Sequence, residues 1–204
     1  MRNVQYLIIF SFLLTAGCKE INKSNKGPFY DSPPMENAEK IQPPPPTGLN
    51  PETTAIKIIP IEHATAILEY NNINIYIDPV GGTEAFNGQK QPDLILITDI
   101  HGDHFSLETL QALNTEKAKI MVPQIVAEKL PAEFTAQIDV LNNGESKERY
   151  GINVEAVPMY NLREEAKDFH VKGRGNGYIL ALGNQRVYFS GDTEDIPEML
   201  ALQN

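Results

Sequence analysis

The residues best suited to chemistry lie in one short stretch, residues 98–104, which reads TDIHGDH. It holds two of the four histidines of the chain, His101 and His104, together with the carboxylates Asp99 and Asp103. Imidazole and carboxylate are the ligands of hydrolytic Zn²⁺ and Mn²⁺ sites. Ligands at this spacing can face two neighbouring points, which suits two metal ions about 3.5–4 Å apart. The stretch therefore predicts a metal site, whereas any one histidine taken alone is more often structural.

A short apolar strand is expected to position this cluster. Residues 93–97 read DLILI and come directly before the cluster, so its ligands would lie at a strand end facing a loop-lined opening. Alternating apolar residues and turn dipeptides predict a chain of strands with short helices between them. The strands are expected at 55–59, 66–70, 73–77, 118–122, 138–141, 152–157, 177–182 and 186–190, and the helices after Ser106, at Pro123, and after Thr193 or Asp195.

The net charge and the N-terminal residues limit the class of protein to which the chain can belong. A formal net charge of −10 argues against a nucleic-acid partner, because phosphate binding requires clustered Lys and Arg. Arg2, an apolar run at 4–14 and small residues before Cys18 are typical of a secretion signal. Residues 14–18 resemble a bacterial lipobox, so residues 1–18 are expected to be a lipoprotein signal peptide and Cys18 the lipidated residue. An ordinary signal peptide or an uncleaved anchor is the alternative.

The segment that follows is predicted to be a tether. Residues 19–53 are rich in Pro, Asn, Ser and Lys, and they include four consecutive prolines at 43–46. Such sequence buries too little apolar surface to fold and favours extended backbone. We therefore expect an exported protein that is lipid-anchored in the bacterial cell envelope, with its folded domain at 54–204.

The folded part resembles the metallo-β-lactamase superfamily. Residues 101–104 match the end of that family's His-x-His-x-Asp-His signature, with Asp99 where the first His stands, and the GDT at 191–193 resembles its bridging-Asp element. The IEHATA at 61–66 and the IDP at 77–79 add a resemblance to the branch of ascorbate-6-phosphate lactonase and N-acyl phosphatidylethanolamine phospholipase D-like proteins. The resemblance implies an α+β fold, namely an αββα sandwich.

The same resemblance implies the site. Asp99 and His101 would bind a first metal, with Asn161 in place of the family's next histidine. Asp103 and His104 would bind a second metal, with Asp192 bridging the two, and Asp103 is also the catalytic candidate. The cofactor would be Zn²⁺, one or two ions, with Mn²⁺ as the alternative.

Several other residues have open roles. His63 could orient a ligand, face the substrate or be structural, and Asp78 is expected to order the site rather than bind metal. Residues 169–177 crowd His170, Lys172 and Arg174 among three glycines, so they could clamp an anionic substrate group or form a solvated loop.

The family's last ligand is a histidine near its C-terminus, and no histidine follows His170 here. The second half of the sandwich is therefore expected to be incomplete, through truncation or as a natural short form. The implied function is hydrolysis of an ester, a lactone or a phosphodiester, in a small-molecule or lipid-like substrate, by a metal-bound hydroxide. The alternative is a non-catalytic envelope lipoprotein on a degenerate scaffold.

Overall fold

Two β-sheets face each other, and strand alternation decides which side chains lie between them. The computed structural model describes residues 8–9 and 55–202, all within one compact unit, so Cys18 and the predicted tether lie outside the described residues. The strands are β1 (Ile8–Ile9), β2 (Lys57–Pro60), β3 (Ala66–Tyr70), β4 (Ile73–Ile77), β5 (Leu94–Leu96), β6 (Lys119–Val122), β7 (Ile138–Val140), β8 (Ser146–Arg149), β9 (Ile152–Met159), β10 (Gly175–Leu182) and β11 (Gln185–Phe189). The α-helices are α1 (Leu107–Ala112), α2 (Gln124–Ala127) and α3 (Pro197–Ala201), and short 3-10 helices span Thr83–Phe86 and Ala132–Phe134.

The first sheet has six strands in the order β2-β3-β4-β5-β6-β7. Strands β2 to β4 form an antiparallel meander, whereas β4, β5, β6 and β7 run parallel to one another. The second sheet has five strands in the order β1-β11-β10-β9-β8; β8 to β11 are antiparallel neighbours, and β1 pairs with β11 in parallel.

The buried residues form three layers of apolar contact. Between the sheets, alternate residues of both pack together, including Leu68, Ile75 and Leu96 from the first sheet and Tyr178 and Leu180 from the second. The outer face of the first sheet packs against helices α1 and α2. The outer face of the second sheet packs against α3 through Val157, Ile179 and Tyr188. This is the helix–sheet–sheet–helix layering expected of the α+β sandwich.

Three details differ from the sequence-based expectations. Strand β8 was not predicted, because its sequence SKER is polar and half-exposed at the sheet edge, where no apolar alternation is needed. Helix α3 begins at Pro197 rather than after Thr193, whose hydroxyl accepts a hydrogen bond from Tyr160 N and donates one to Tyr160 O. Pro123 is the residue before α2 rather than its first residue.

No helix among residues 55–202 is long and apolar enough to cross a membrane.

Candidate metal centre

The candidate site lies where the ends of several strands meet at one edge of both sheets. Because β4 and β5 are parallel neighbours, their carboxyl ends lie side by side, which places Asp78 next to Thr98. In the second sheet, the end of β9, the start of β10 and the end of β11 share an edge, since these strands are antiparallel. Asn176 N donates a hydrogen bond to Thr98 O at 2.9 Å and so joins the two edges.

Two buried residues fix His104. Asp78 Oδ1 accepts a hydrogen bond from Thr98 N, and its Oδ2 accepts one from the Thr98 hydroxyl, both at 2.7 Å. The same Oδ2 lies 2.8 Å from His104 Nδ1, and all three side chains are buried. The Nε2 atom of His104 is therefore the ring nitrogen that is free to act as a ligand. Burial raises the pKa of Asp78, whereas its hydrogen bonds with His104 and Thr98 oppose that rise.

The charge around His104 strongly favours a cation. Burial disfavours the imidazolium, but the hydrogen bond and charge of Asp78, with the charges of Asp103 and Asp192, outweigh it and raise the pKa of His104 to about 9. A metal ion bound at Nε2 would take the position of that proton.

His104 forms one of two candidate ligand groups with Asp103 and Asp192, and we call these three residues the Asp103 group. Their ligand atoms lie within 4.8 Å of one another, and His104 Nε2 is 3.7 Å from Asp103 Oδ2 and 3.9 Å from Asp192 Oδ2. Among residues 55–202, the ion pairs of these two carboxylates are all with histidines. Two carboxylates and one oriented imidazole are a donor set that fits a divalent ion.

Asp99, His101 and His170 form the second candidate, which we call the Asp99 group. Asp99 Oδ2 is 3.1 Å from His101 Nδ1 and 3.8 Å from His170 Nε2, and these two ring nitrogens are 3.1 Å apart. Asp99 is completely buried and His170 almost so. Asp99 and His101 lie in the loop after β5 of the first sheet, whereas His170 lies in the loop between β9 and β10 of the second.

The carboxylate of this group, Asp99, is already paired with Arg174. Its Nε lies 3.2 Å from Asp99 Oδ1 and its Nη2 lies 2.8 Å from Asp99 Oδ2, a bidentate pair. The same Nη2 lies 3.5 Å from His101 Nε2 and donates to Phe169 O. The donor set of the Asp99 group therefore differs from that of the Asp103 group, because its only anion is paired with a fixed cation.

Asp192 lies between the two groups. Its Oδ2 is 3.1 Å from His170 Nε2, on the side of the Asp99 group, and 3.9 Å from His104 Nε2. The hydrogen bond with His170 lowers the pKa of Asp192; burial opposes this, and the positive charges of the neighbouring histidines add to it. One carboxylate oxygen of Asp192 thus lies near a histidine of each group.

A cavity of about 130 Å³ opens next to the Asp103 group. Its lining includes His63, Thr65, Phe189 and Ser190 together with the residues of that group. This volume is below the roughly 300–1,000 Å³ of pockets that enclose a drug-sized ligand. It therefore suits the reacting part of a substrate rather than a whole molecule.

Most of the sequence-predicted site residues lie together in the structure, but Asn161 and Lys172 do not lie with them. Asp99, His101, Asp103, His104 and Asp192 lie together, with His170 and Arg174 against them. Asn161 stands behind His170, where its Nδ2 is 3.1 Å from both His170 Nδ1 and Ala166 O. Lys172 pairs with Glu198 at 2.5 Å, and its Nζ lies 4.7 Å from the centre of the Tyr160 ring, on the side of α3.

The sequence-based assignment did not consider His170 as a possible ligand. It is a buried residue between two exposed apolar ones, Phe169 and Val171, so hydrophobic patterning provided no signal for its position. Asp78 has the ordering role that its place at the end of β4 suggested.

Comparisons with known proteins agree with the fold. A family model described as "Beta-lactamase superfamily domain" matches residues 57–203. A metal-dependent hydrolase of the UPF0173 group from Methanopyrus kandleri is 26% identical over 144 residues, covering 68% of this chain and 62% of the relative. A relative of the same group from Salinibacter ruber is 30% identical over 142 residues, covering 67% and 62%.

Among solved structures, a putative metal-dependent hydrolase from Parabacteroides distasonis is 36% identical, with a TM-score of 0.63, and the match covers 71% of this chain and 64% of that one. A metallo hydrolase from Ignicoccus hospitalis is 22% identical, with a TM-score of 0.56, which supports the fold alone; the match covers 71% of this chain and 64% of that one. The chain thus spans less than two thirds of the length of these relatives.

Proposed function

The chain belongs to the metallo-β-lactamase superfamily, as its sequence motifs predicted, and on that premise we propose that it is a metal-dependent hydrolase whose metal ion binds in the Asp103 group. The observation that carries this proposal is the oriented His104, which is held by buried Asp78 and lies close to two carboxylates at the lining of a cavity. The narrower resemblance to the lactonase and phospholipase D-like branch stays a prediction.

Asp103, His104 and Asp192 would hold the ion. When bound, a divalent ion at such a site activates water as a nucleophile and polarises the oxygen of the group under attack. Zn²⁺ suits this donor set, and Mn²⁺ is the alternative. Side chains of the protein would carry out the other steps of the reaction.

Each side chain has a distinct task in this proposal. Asp78 and Thr98 hold the His104 ring in one orientation, and Asp192 faces both candidate groups. Asp103 is about half exposed to the cavity side, so its carboxylate can also accept a proton from the attacking water. His63 lines the same cavity, from which it can contact the leaving group or orient the substrate.

The proposed substrate is a compact ester, lactone or phosphodiester within a small-molecule or lipid-like compound. A cavity of about 130 Å³ admits such a reacting group and leaves the rest of the substrate outside. We also propose that the protein is exported and anchored through Cys18, which lies outside the described residues.

The test is a hydrolysis screen of the full chain loaded with Zn²⁺ or Mn²⁺, with a nitrophenyl ester, a γ-lactone and bis(nitrophenyl) phosphate as probes. We expect turnover of at least one probe that EDTA abolishes and added metal restores. His104→Ala and Asp192→Asn are each expected to lower kcat/KM at least about 100-fold, because loss of a ligand costs more than loss of its supporting hydrogen bond.

Glu116→Gln is the matched control, since it removes one exposed carboxylate far from the strand ends that carry the site. It should leave kcat/KM unchanged. Tight metal binding without turnover of any probe would instead favour the non-catalytic alternative, and unchanged activity in His104→Ala would exclude the proposed site.

A further inference from the structure

The unexplained feature of the centre is the guanidinium of Arg174 against Asp99. The pair is bidentate, with 3.2 Å and 2.8 Å contacts, and the Asp99 side chain is fully buried. Bidentate Arg–carboxylate pairs are among the strongest charge-assisted hydrogen bonds. At the position of Asp99, the family that this sequence resembles carries a histidine, which is neutral. Asp99 instead brings an anion, and it pairs with the cation of Arg174.

The charges of the two groups differ as a result. The Asp103 group combines two carboxylates with one imidazole and has no Lys or Arg paired to it among residues 55–202. The Asp99 group combines one carboxylate, two imidazoles and the Arg174 guanidinium. Asp192 lies near both groups, but Asp99 is neutralised by Arg174, whereas Asp103 has no Lys or Arg paired to it among residues 55–202. A divalent ion is therefore attracted more strongly to the first set.

The loop that carries Arg174 holds the guanidinium in place. Gly173 adopts a φ of 86°, a left-handed conformation that closes the turn, and Arg174 N donates to Val171 O at 3.1 Å. Phe169 O accepts a hydrogen bond from Nη2, and β10 begins at the next residue, Gly175. The Arg174 side chain is mostly buried, so it is a fixed part of the site rather than a mobile surface charge.

We propose that the guanidinium of Arg174 takes the place of a metal ion in the Asp99 group, so that the protein binds one divalent ion tightly, in the Asp103 group. This inference rests on the proposed function, because it assumes that the Asp103 group binds metal.

The guanidinium of Arg174 and the metal ion of the Asp103 group would then have different roles in the reaction. A guanidinium stays protonated at every working pH and has no open coordination position, so it cannot activate a water molecule. It can donate hydrogen bonds to a substrate oxygen and hold it near the single metal ion. Water activation is left to the Asp103 group alone.

Metal stoichiometry tests the inference directly. The full chain is dialysed against a low, buffered concentration of Zn²⁺, and bound metal per chain is measured by mass spectrometry. We expect one ion in the unaltered protein and two in Arg174→Gln, since removing the guanidinium leaves Asp99 unpaired beside two imidazoles. Lys172→Gln is the matched control: it removes a positive charge from the same loop, but that charge pairs with Glu198, so the count should stay at one.

A spectroscopic measurement gives a second readout that does not depend on activity. With Mn²⁺ as the probe, we expect the electron paramagnetic resonance spectrum of isolated ions in the unaltered protein and that of a coupled pair in Arg174→Gln. If Arg174→Gln unfolds, the double variant Asp99→His with Arg174→Gln replaces the ion pair by neutral groups and should bind two ions.

The outcomes separate this inference from the proposed function. Two tightly bound ions in the unaltered protein would overturn the inference and leave the proposed function intact. A single ion in folded Arg174→Gln would also overturn it, because the guanidinium would then not be what excludes the ion. No bound ion in the unaltered protein would overturn the proposed function itself.

Discussion

Asp78 is the residue on which the orientation of His104 depends. It is buried, contributes no atom to either ligand group, and its two carboxylate oxygens are used entirely on Thr98 and His104. Residues that orient a metal ligand in this way affect affinity without touching the ion.

Asp78→Asn is therefore expected to weaken metal binding about 10–100-fold, because an amide supports the His104 ring less well than a carboxylate does. Competition with a fluorescent chelator gives the dissociation constant. Asp93→Asn is the control, since Asp93 is also hydrogen-bonded in the same sheet but at the other end of β5. Equal weakening in the two variants would contradict the assigned role.

His104 should also make the metal-free protein sensitive to alkali. Its folded pKa of about 9 lies above the usual histidine pKa of 6.5, so protonation contributes stability that is fully present below about pH 6.5 and is lost as the pH rises through about 9. We expect the free energy of unfolding to fall by at most about 3 kcal/mol across this range.

Urea unfolding in the presence of EDTA, at several pH values, measures this loss. His104→Gln should flatten the dependence between pH 6.5 and 9, because the titrating group is gone. A pH dependence unchanged by His104→Gln would show that another group is responsible.

Among the elements, β10 holds the two sheets in register. The Tyr178 hydroxyl, on β10, donates to Ile97 O at 3.0 Å and lies 3.3 Å from Met121 O, both on the first sheet. Burial raises the pKa of this phenol, and Asn176 Nδ2 donates to its oxygen at 3.2 Å. The hydroxyl thus connects the strand that carries the second edge of the site to the strands that carry the first.

Tyr178→Phe is expected to lower the free energy of unfolding by about 1–3 kcal/mol, because the buried carbonyl of Ile97 loses the hydroxyl proton that it accepts. Chemical denaturation measures this loss. Tyr150→Phe is the control: its hydroxyl is exposed and lies 3.5 Å from Lys117 O, so its loss should be close to zero. Similar losses in the two variants would contradict the proposed link between the sheets.

The extent to which sequence predicted these elements follows from what makes each one form. The alternation in β3, β4, β9 and β11 reflects burial on one or both faces, so the pattern itself indicated the strands. Strand β8 forms through backbone pairing at an exposed edge, which leaves no apolar pattern to detect.

The candidate ligands also differ in how far the sequence could predict them. The ligands at 99–104 follow a strand directly, so their spacing in the sequence carries the information. His170 reaches the site from a long loop between β9 and β10, and its approach to Asp99 depends on how two sheets pack. Nor could the sequence distinguish Arg174, which contacts Asp99, from Lys172, which pairs with Glu198.

At the scale of the whole molecule, the proposed anchor at Cys18 predicts where the protein is found. Cys18→Ala should move the protein from the membrane fraction to the soluble envelope fraction, because the lipid-bearing residue is lost. Fractionation followed by immunoblotting measures this change, with Ser24→Ala, a polar substitution in the predicted tether, as the control. A protein that stays in the membrane fraction after Cys18→Ala would argue for an uncleaved anchor.

The Asp103 group joins parts of the chain that are far apart in sequence. His104 follows β5 of the first sheet, whereas Asp192 follows β11 of the second, and between them lie six strands, β6 to β11, and helices α1 and α2. An ion held by both residues closes a long loop of chain, much as a disulfide would, in a protein whose single cysteine can form none within the chain. Metal loading and folding are then linked: scarcity of the ion would lower the native population, and loss of the ion would remove one of the links between the two sheets.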